Sequence, residues 1–416
     1  MNPVESGVSA SPDALVTAVE DIRSLFPALE REHAGQPVAY FDGPGGTQVP
    51  ASVTDAITDS LLHHNANRRW AYPASAEVDA TVAGARVAMG DFFGCGSDDV
   101  VFGANMTTLT YHLSRTLGRN WGEGDEVVVT RLDHFANISP WRALEVERGV
   151  TVRDVGFHPA SGTLDMGALA ETITERTRLV AIGWASNVLG TITDLAPVVL
   201  RAREVGALVF VDAVHSAPHV LPHVLELGCD FLACSPYKFY GPHAGVMYAP
   251  APLLDQLDVP RLPCAPQVAP ERFETGTQNH EAMAGTTAAV DFLASLAPGN
   301  SRRDRLALAY QALHYRGDHL VGHLMRGLAE LDPVTIYGPP RGQPRTPTVA
   351  FTVDGFDARA VASHLSENHA VFVSHGHFYG AHVTEDLGVS GLVRAGCACY
   401  STEPEVDRLL AGLRDL

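Results

Sequence analysis

Apolar residues recur along this chain with two alternating periods. Short continuous apolar runs, each bounded by glycine, proline or polar turns, are separated by stretches in which apolar positions return every three or four residues. The runs Asp99–Phe102, Asp125–Thr130, Val150–Val155, Leu179–Trp184, Ala207–Asp212, Asp230–Ala233 and Ala244–Tyr248 predict buried strands. Between them, Leu109–Leu117, Ser139–Gly149 and Leu195–Val205 predict helices, the last ended by Gly206. This alternation predicts an α/β architecture with a mainly parallel, helix-covered sheet. Ahead of it, Ser11-Pro12-Asp13 reads as the cap of a helix carrying Leu15, Val19, Ile22 and Phe26. Val38–Asp42 predicts a strand that breaks at Gly43-Pro44-Gly45-Gly46, and Glu77–Phe93 a helix. After Gly276 the pattern changes. A long helix over Ser301–Leu331, with Arg302, Arg303 and Asp304 exposed, leads into strands Pro347–Asp354, Val371–Val373 and Leu392–Tyr400 and helices Asp357–Asn368 and Glu403–Leu413. The expected organisation is a helical segment 1–35, a large domain 36–296 and a smaller C-terminal α/β domain 297–416.

Sites in parallel sheets lie beyond the carboxyl ends of the strands. Asn105, His134, Asn187, Asp212 and Lys238 all fall just past predicted strand ends. Lys238 stands between Tyr237 and Phe239, where a poorly hydrated amine loses its proton more readily and can attack an aldehyde. The strand–turn–helix at Gly103–Thr108 points backbone N–H groups and threonine hydroxyls at an anion; an ordinary threonine cap gives the same pattern. The glycine turn after Asp42 lacks GxGxxG spacing and a suitable acidic partner, so it reads as a turn rather than a dinucleotide loop. His215, His219 and His223 share helical spacing, but Pro218 and Pro222 interrupt it, and no metal site is expected.

Composition narrows the function classes. The 416 residues are 46% hydrophobic and 19% charged, as in ordinary globular proteins, and the formal net charge of −19 disfavours nucleic acid and anionic membrane partners. The six cysteines are scattered except for Cys397 and Cys399, which suggests free thiols in a reducing compartment. No basic-then-apolar leader and no run approaching the roughly 18 apolar residues of a membrane span is present. A cytoplasmic enzyme acting on a small molecule fits these bounds.

Eight short motifs then occur in order: Tyr40-Phe41-Asp42, Asn105-Met106-Thr107, Asp133-His134-Phe135-Ala136-Asn137, Ser186–Thr191, Val211-Asp212-Ala213, Tyr237–Pro242, Arg272–Thr277 and Val393-Arg394-Ala395-Gly396. Together they resemble the class V aminotransferase family of fold-type I pyridoxal phosphate (PLP) enzymes, nearest the cysteine desulfurase-like subgroup, from about Phe41 to the C-terminus. The resemblance implies a fold-type I PLP-dependent transferase architecture, with PLP held as a Schiff base on Lys238, which also moves the Cα proton. It places Asp212 on the pyridinium nitrogen, where it sustains the electron sink. It stacks His134 on the ring and directs Asn187 to the phenolic oxygen or the substrate carboxylate. Asn105, Met106, Thr107 and Ser235 fall at the phosphate, and Gly276 and Thr277 reach the phosphate of a partner subunit, which implies a homodimer with interfacial sites. Arg394 grips the substrate α-carboxylate. Arg68 lies in a loop, Asn67–Tyr72, that approaches the site across the dimer; Trp70 and Tyr72 there suit a substrate larger than cysteine, or ordinary interface packing.

Three positions depart from the family pattern. Tyr237 replaces a phosphate-binding histidine, and His215 replaces a glutamine beside the cofactor. Tyr379, in the loop Val373–Gly380, stands where the most similar desulfurases carry the sulfur-accepting cysteine. A phenol cannot accept sulfur as a persulfide. Cys397 and Cys399 read as core residues, and Cys264 lies in a Pro-rich stretch as the remaining candidate acceptor. The expected activity is therefore PLP-dependent chemistry at Cα and Cβ of an amino acid, foremost C–S β-elimination on cysteine or an S-substituted cysteine. A desulfurase with an unconventional or external thiol acceptor, a transaminase or epimerase, and a degenerate PLP-binding scaffold are the alternatives.

Overall fold

The computed structural model describes residues 16–416. The expected cap at Ser11 and the helix start at Leu15 lie outside them; Val19–Arg23 is helical. The core of the molecule is a seven-stranded sheet of β1 (Val100–Gly103), β2 (Glu126–Thr130), β3 (Thr151–Val155), β4 (Thr177–Gly183), β5 (Leu208–Asp212), β6 (Phe231–Cys234) and β7 (Gly245–Tyr248). Their spatial order is β1-β7-β6-β5-β4-β2-β3. Strands β2 to β6 pair in parallel, and only β7 runs antiparallel, between β6 and β1. The segment 235–244, with one 3-10 turn, joins β6 to β7 and permits antiparallel pairing without a helical crossover.

The continuous apolar runs are explained by burial on both faces. Val127, Val129, Leu179, Ala181, Phe210 and Phe231 pack into one core, while Val128, Val180, Ile182, Val209, Val211 and Leu232 pack into the other. Successive side chains of one strand point to opposite faces, so each run feeds two cores. The covering helices include α1 (Ala51–His63), α2 (Pro73–Phe93), α3 (Met106–Gly118), α4 (Ser139–Arg148), α5 (Ala196–Val205) and α6 (His280–Ser295). Gly149 and Gly206 end α4 and α5 at φ of 73° and 74°, the left-handed caps that glycine permits without strain.

Helix α7 (Arg302–Ala329) starts at a capping box between Ser301 and Asp304. Arg302 and Arg303 were expected in solvent and are instead engaged. Arg302 bridges Asp91 and Asp291, and Arg303 donates to the carbonyls of Asp91, Phe92 and Pro222. They tie α7 to the end of α2.

Beyond α7 a second sheet of β8 (Val334–Tyr337), β9 (Thr348–Val353), β10 (Ser374–Gly376) and β11 (Leu392–Gly396) has the order β8-β9-β11-β10 and is antiparallel throughout. Helices α8 (Ala358–His369) and α9 (Glu403–Arg414) pack with it. The strand expected to reach Tyr400 stops at Gly396. The N-terminal strand belongs beside this sheet: Ala39–Tyr40 pairs with Val371–Phe372, and Asp42 bridges Gly396. Ala39 and Phe41 share a core with Val349, Phe351 and Val393. This pairing carries the turn after Asp42 to the edge of the large sheet. No helix among the described residues is long and apolar enough to cross a membrane.

Candidate active site

Lys238 follows β6 in a single 3-10 turn, Pro236–Lys238. Its Nζ donates to the carbonyls of Pro44 at 2.5 Å and Gly45 at 3.0 Å and lies 4.9 Å from the centroid of the Tyr237 ring. Burial and then the Arg394 charge lower its pKa to about 7, against the opposing pull of Asp212 and Asp42. The amine is thus available unprotonated near neutrality. The glycine turn that read only as a turn is the lysine's cradle. No local signal announces that, because it depends on Asp42 pairing with Gly396.

Asp212 ends β5 and is 8% exposed. Its Oδ1 accepts the Val214 N–H at 2.9 Å, and burial raises its pKa to about 6. Beside it the sequence reading passed over Asp133. That buried carboxylate accepts from the Thr130 hydroxyl (2.7 Å), the Asn137 amide (2.8 Å) and the N–H of Gly183 (2.9 Å), the residue in register with Asp212. Burial raises it to about 7, and the neighbouring Asp212 charge adds to the shift. A Cβ on Gly183 would stand 2.6 Å from Asp133 Oδ1, so only glycine leaves room for this carboxylate. The neighbouring His134 uses Nδ1 to accept the Ala136 N–H at 2.9 Å. A backbone N–H can only donate, so the ring proton resides on Nε2. Burial, Lys238 and Arg394 together lower His134 to about 4, which keeps it neutral.

At the start of α3, the Met106 N–H donates to the buried Ser235 hydroxyl at 3.2 Å, and Thr107 occupies the same first turn. Asn105 is an exposed cap whose Oδ1 accepts from the Thr108 amide and hydroxyl. Strand β7 presses against this helix start closely enough that a Cβ at Gly245 would run into the Asn105 backbone. The helix start with its dipole and the hydroxyls of Thr107 and Ser235 form a candidate anion seat.

Arg394 lies on β11, 3% exposed. It donates to the Asn187 carbonyl at 2.6 Å and to the Ser374 hydroxyl at 3.4 Å, and its guanidinium carbon stands 4.1 Å from the Phe378 ring centroid. Burial lowers its pKa to about 9. Asn187 donates to the Phe378 carbonyl at 2.8 Å. Buried polar atoms lack partners here: Arg394 Nε, Asn187 Oδ1 and Asp42 Oδ1. Orphaned donors and acceptors facing one place are the mark of a polar ligand's site. An anion seat, a lowered-pKa lysine, a buried carboxylate and these orphans together fit the PLP and amino acid that the sequence motifs imply.

The loop Ser374–Gly380 closes over this cluster. Phe378 and Tyr379 hold left-handed backbone at φ of 54° and 57°. Tyr379 is pinned by its carbonyl, which accepts the Phe135 N–H at 2.8 Å, and by its N–H, which donates to His377 Nδ1 at 3.0 Å. Its ring is 67% exposed and lies 5.4 Å from the His134 ring, tilted 35°. A phenol therefore overhangs the site.

The remaining expected residues are less central. Tyr237 stacks on His243, centroids 4.7 Å apart, and burial raises its phenol. His215 is buried, with Nε2 3.0 Å from the Thr346 hydroxyl and 3.4 Å from that of Thr348. Arg68 is not brought to the cluster within this chain; it is bound by Asp79 and Glu271. Gly276 and Thr277 are exposed, as are Trp70 and Tyr72. All six cysteines are free; burial pushes the Cys95, Cys229, Cys397 and Cys399 thiols up to about 12, raises Cys234 further, and leaves Cys264 as the exposed one.

The family model described as Aminotransferase class-V matches residues 39–409. The chain is 32% identical over 411 residues to a cysteine desulfurase of Dickeya dadantii, covering 95% of this chain and 96% of that protein. Among solved structures, the cysteine desulfurase of Thermococcus onnurineus NA1 superposes with a TM-score of 0.85 at 27% identity, over 95% of this chain and 97% of the other. A C-DES variant with glycine covalently linked to its PLP cofactor shares the fold at a TM-score of 0.79 and 23% identity, over 95% and 99% of the two chains.

Proposed function

Because the chain belongs to the class-V aminotransferase family of PLP-dependent, fold-type I enzymes, we propose that it cleaves the C–S bond of cysteine or an S-substituted cysteine by β-elimination. Overall, R–S–CH2–CH(NH3+)–COO− and water give the thiol R–SH, pyruvate and ammonium, with no oxidant or reductant. Bound at Lys238, PLP supplies the electron sink that labilises bonds at Cα. Lys238, with its lowered pKa, takes the Cα proton once substrate occupies the site. Asp212, at the end of β5, would hold the ring nitrogen of the cofactor as its counter-anion and so would favour the protonated ring. Arg394 receives the α-carboxylate on its unpartnered side, and Asn187 offers its free Oδ1 and amide beside it. Neutral His134, with its Nε2–H fixed by Ala136, is positioned to donate to a departing sulfur. Met106, Thr107 and Ser235 hold the phosphate.

The observation that carries this reading is Tyr379. The residue overhanging His134 is a phenol, and the buried thiols lie in packed cores with pKa values pushed far above neutrality. Desulfuration needs a thiolate to take the sulfur; elimination does not. The 32% identity to named desulfurases favours one second reading, a desulfurase served by an external thiol. The exposed Gly276 and Thr277 support the homodimer in which they would complete a partner's phosphate site. Incubating the PLP-loaded protein with cysteine and S-alkyl cysteines decides between the reactions. Pyruvate with released thiol is expected. Alanine with persulfide, or an oxo acid with aminated cofactor, overturns the proposal.

A further inference from the structure

A cavity of about 1290 Å³ lies between the middle of α7, residues 219–227 and the turn 341–345. It includes none of Lys238, His134, Asn187 and Arg394. Its volume exceeds the roughly 300–1,000 Å³ of ordinary small-molecule pockets, and its walls combine apolar surface with the charged side chains of Asp194, Glu226, Asp318, Arg341 and Arg345. Trp184, Leu221, Val321 and Met325 supply the apolar wall. Among the charges, Asp318 stands 4.0 Å from His314. Arg345 is buried and spends its guanidinium on the carbonyls of Pro339 and Thr348. Arg341, exposed at the rim, has no hydrogen bond or ion pair among the described residues.

The helix floor beneath Arg341 is independently unusual. Helix α7 contains three glycines in positions where alanine would strengthen the helix. Packing explains two: a Cβ at Gly317 would press on Pro347 at 3.2 Å, and one at Gly327 would collide with Leu410. Gly322 has no such excuse. Its nearest neighbours would be the guanidinium groups of Arg326 at 3.6 Å and Arg341 at 3.9 Å, ordinary contacts. A bare turn of helix thus lies under a partnerless cation at the rim of a large cleft.

We propose that this cavity is a second ligand site, for a small organic acid with an apolar or aromatic body. The acid group pairs with Arg341 over Gly322, and the body lies along Trp184, Leu221, Val321 and Met325. The site abuts the catalytic centre without entering it: His219, in its wall, stacks edge-on to His215 at 5.8 Å, and the Trp184 N–H donates to the Asp212 carbonyl. The proposal does not depend on which reaction Lys238 serves.

The test is calorimetric titration of 3-phenylpropionate into the full-length, PLP-loaded protein. Saturable binding is expected, weakened about tenfold or more both by Arg341→Gln and by replacing the acid with 3-phenylpropanol, as loss of one charge-assisted hydrogen-bonding pair requires. Arg394→Gln should leave this binding unchanged, Gly322→Ala should retain it with a raised Tm, and Gly322→Phe should abolish it. If Gly322→Phe does not fold, the exposed Arg341→Gln decides alone. Absence of saturable binding at millimolar acid overturns the proposal. So does binding that survives Arg341→Gln and disappears in Arg394→Gln, because the acid then sits at the carboxylate clamp.

Discussion

Arg394→Gln separates function from stability. Arg394 is a cation held almost wholly out of water with a carbonyl and a hydroxyl as its hydrogen-bond partners and no carboxylate bonded to it. Burial brings its pKa from above 12 to about 9. That drop of roughly three powers of ten corresponds to a cost on the order of 4 kcal/mol for folding around the charge, an upper figure because surrounding dipoles relax. The guanidinium is protonated in the folded and unfolded chains at neutral pH, and the folded state binds the proton less tightly. The cost is therefore fully present at neutral pH and declines only as pH rises through about 9. Under the proposed function a substrate carboxylate would supply the missing anion. Replacing Arg394 by glutamine removes the cost and the clamp together. The Tm of the substrate-free protein should hold or rise. Meanwhile kcat/KM for an S-alkyl cysteine should fall about 10²- to 10⁴-fold, from the roughly 3–5 kcal/mol of a broken buried ion pair. Thermal scans and steady-state kinetics on the same preparations measure both. A variant that melts several degrees lower yet keeps kcat/KM within a few-fold would falsify the clamp and make Arg394 a structural tie between Asn187 and Ser374.

Other consequences are equally direct. Gly245→Ala drives a Cβ into the Asn105 backbone and displaces the start of α3; PLP affinity measured by equilibrium dialysis should drop by about tenfold or more, and unchanged affinity would detach the phosphate from this seat. In cofactor-free protein, burial holds Asp212 at about 6 and Asp133 at about 7. The folded state keeps these protons to higher pH than the unfolded chain, so their contribution to stability is full below about pH 4 and lost as pH rises through about 6 to 7. Asp212→Asn should consequently flatten the fall in Tm across that window, and parallel curves for the two proteins would remove Asp212 as its source. Mild alkylation of the native protein should modify Cys264, the exposed thiol, without slowing turnover; inactivation in step with that modification would restore a thiol to the mechanism.

The sequence exposed the large sheet through its doubly buried strands and the site through polar residues at strand ends. Lys238, Asp212, His134 and Arg394 are legible that way because each follows or interrupts an apolar run. Two features were not. Asp133 stood in a motif without a role of its own, since its significance rests on Gly183, which leaves it room from a different strand. The turn Gly43–Gly46 looked idle because its role needs Ala39 to pair with Val371 and Asp42 with Gly396. Arg68 is bound by Asp79 and Glu271 within one chain, and its expected approach to the site runs across a dimer. Local pattern reports local preference, and the roles of Asp133 and of the glycine turn were set by contacts distant in sequence.

The cradle of Lys238 also sets an order of events during synthesis. The carbonyls that receive its amine come from residues 44 and 45, and those are placed by strand partners at 371–372 and 396, almost the whole chain later. A growing chain already holding β1 to β7 has Lys238 and Asp212 but lacks the partners that fix the turn beneath the amine. Contacts this far apart in sequence close late. Completion of the cradle consequently waits for the C-terminal sheet, and truncation before β11 removes the Gly396 bridge to Asp42 that helps place the turn beneath the amine.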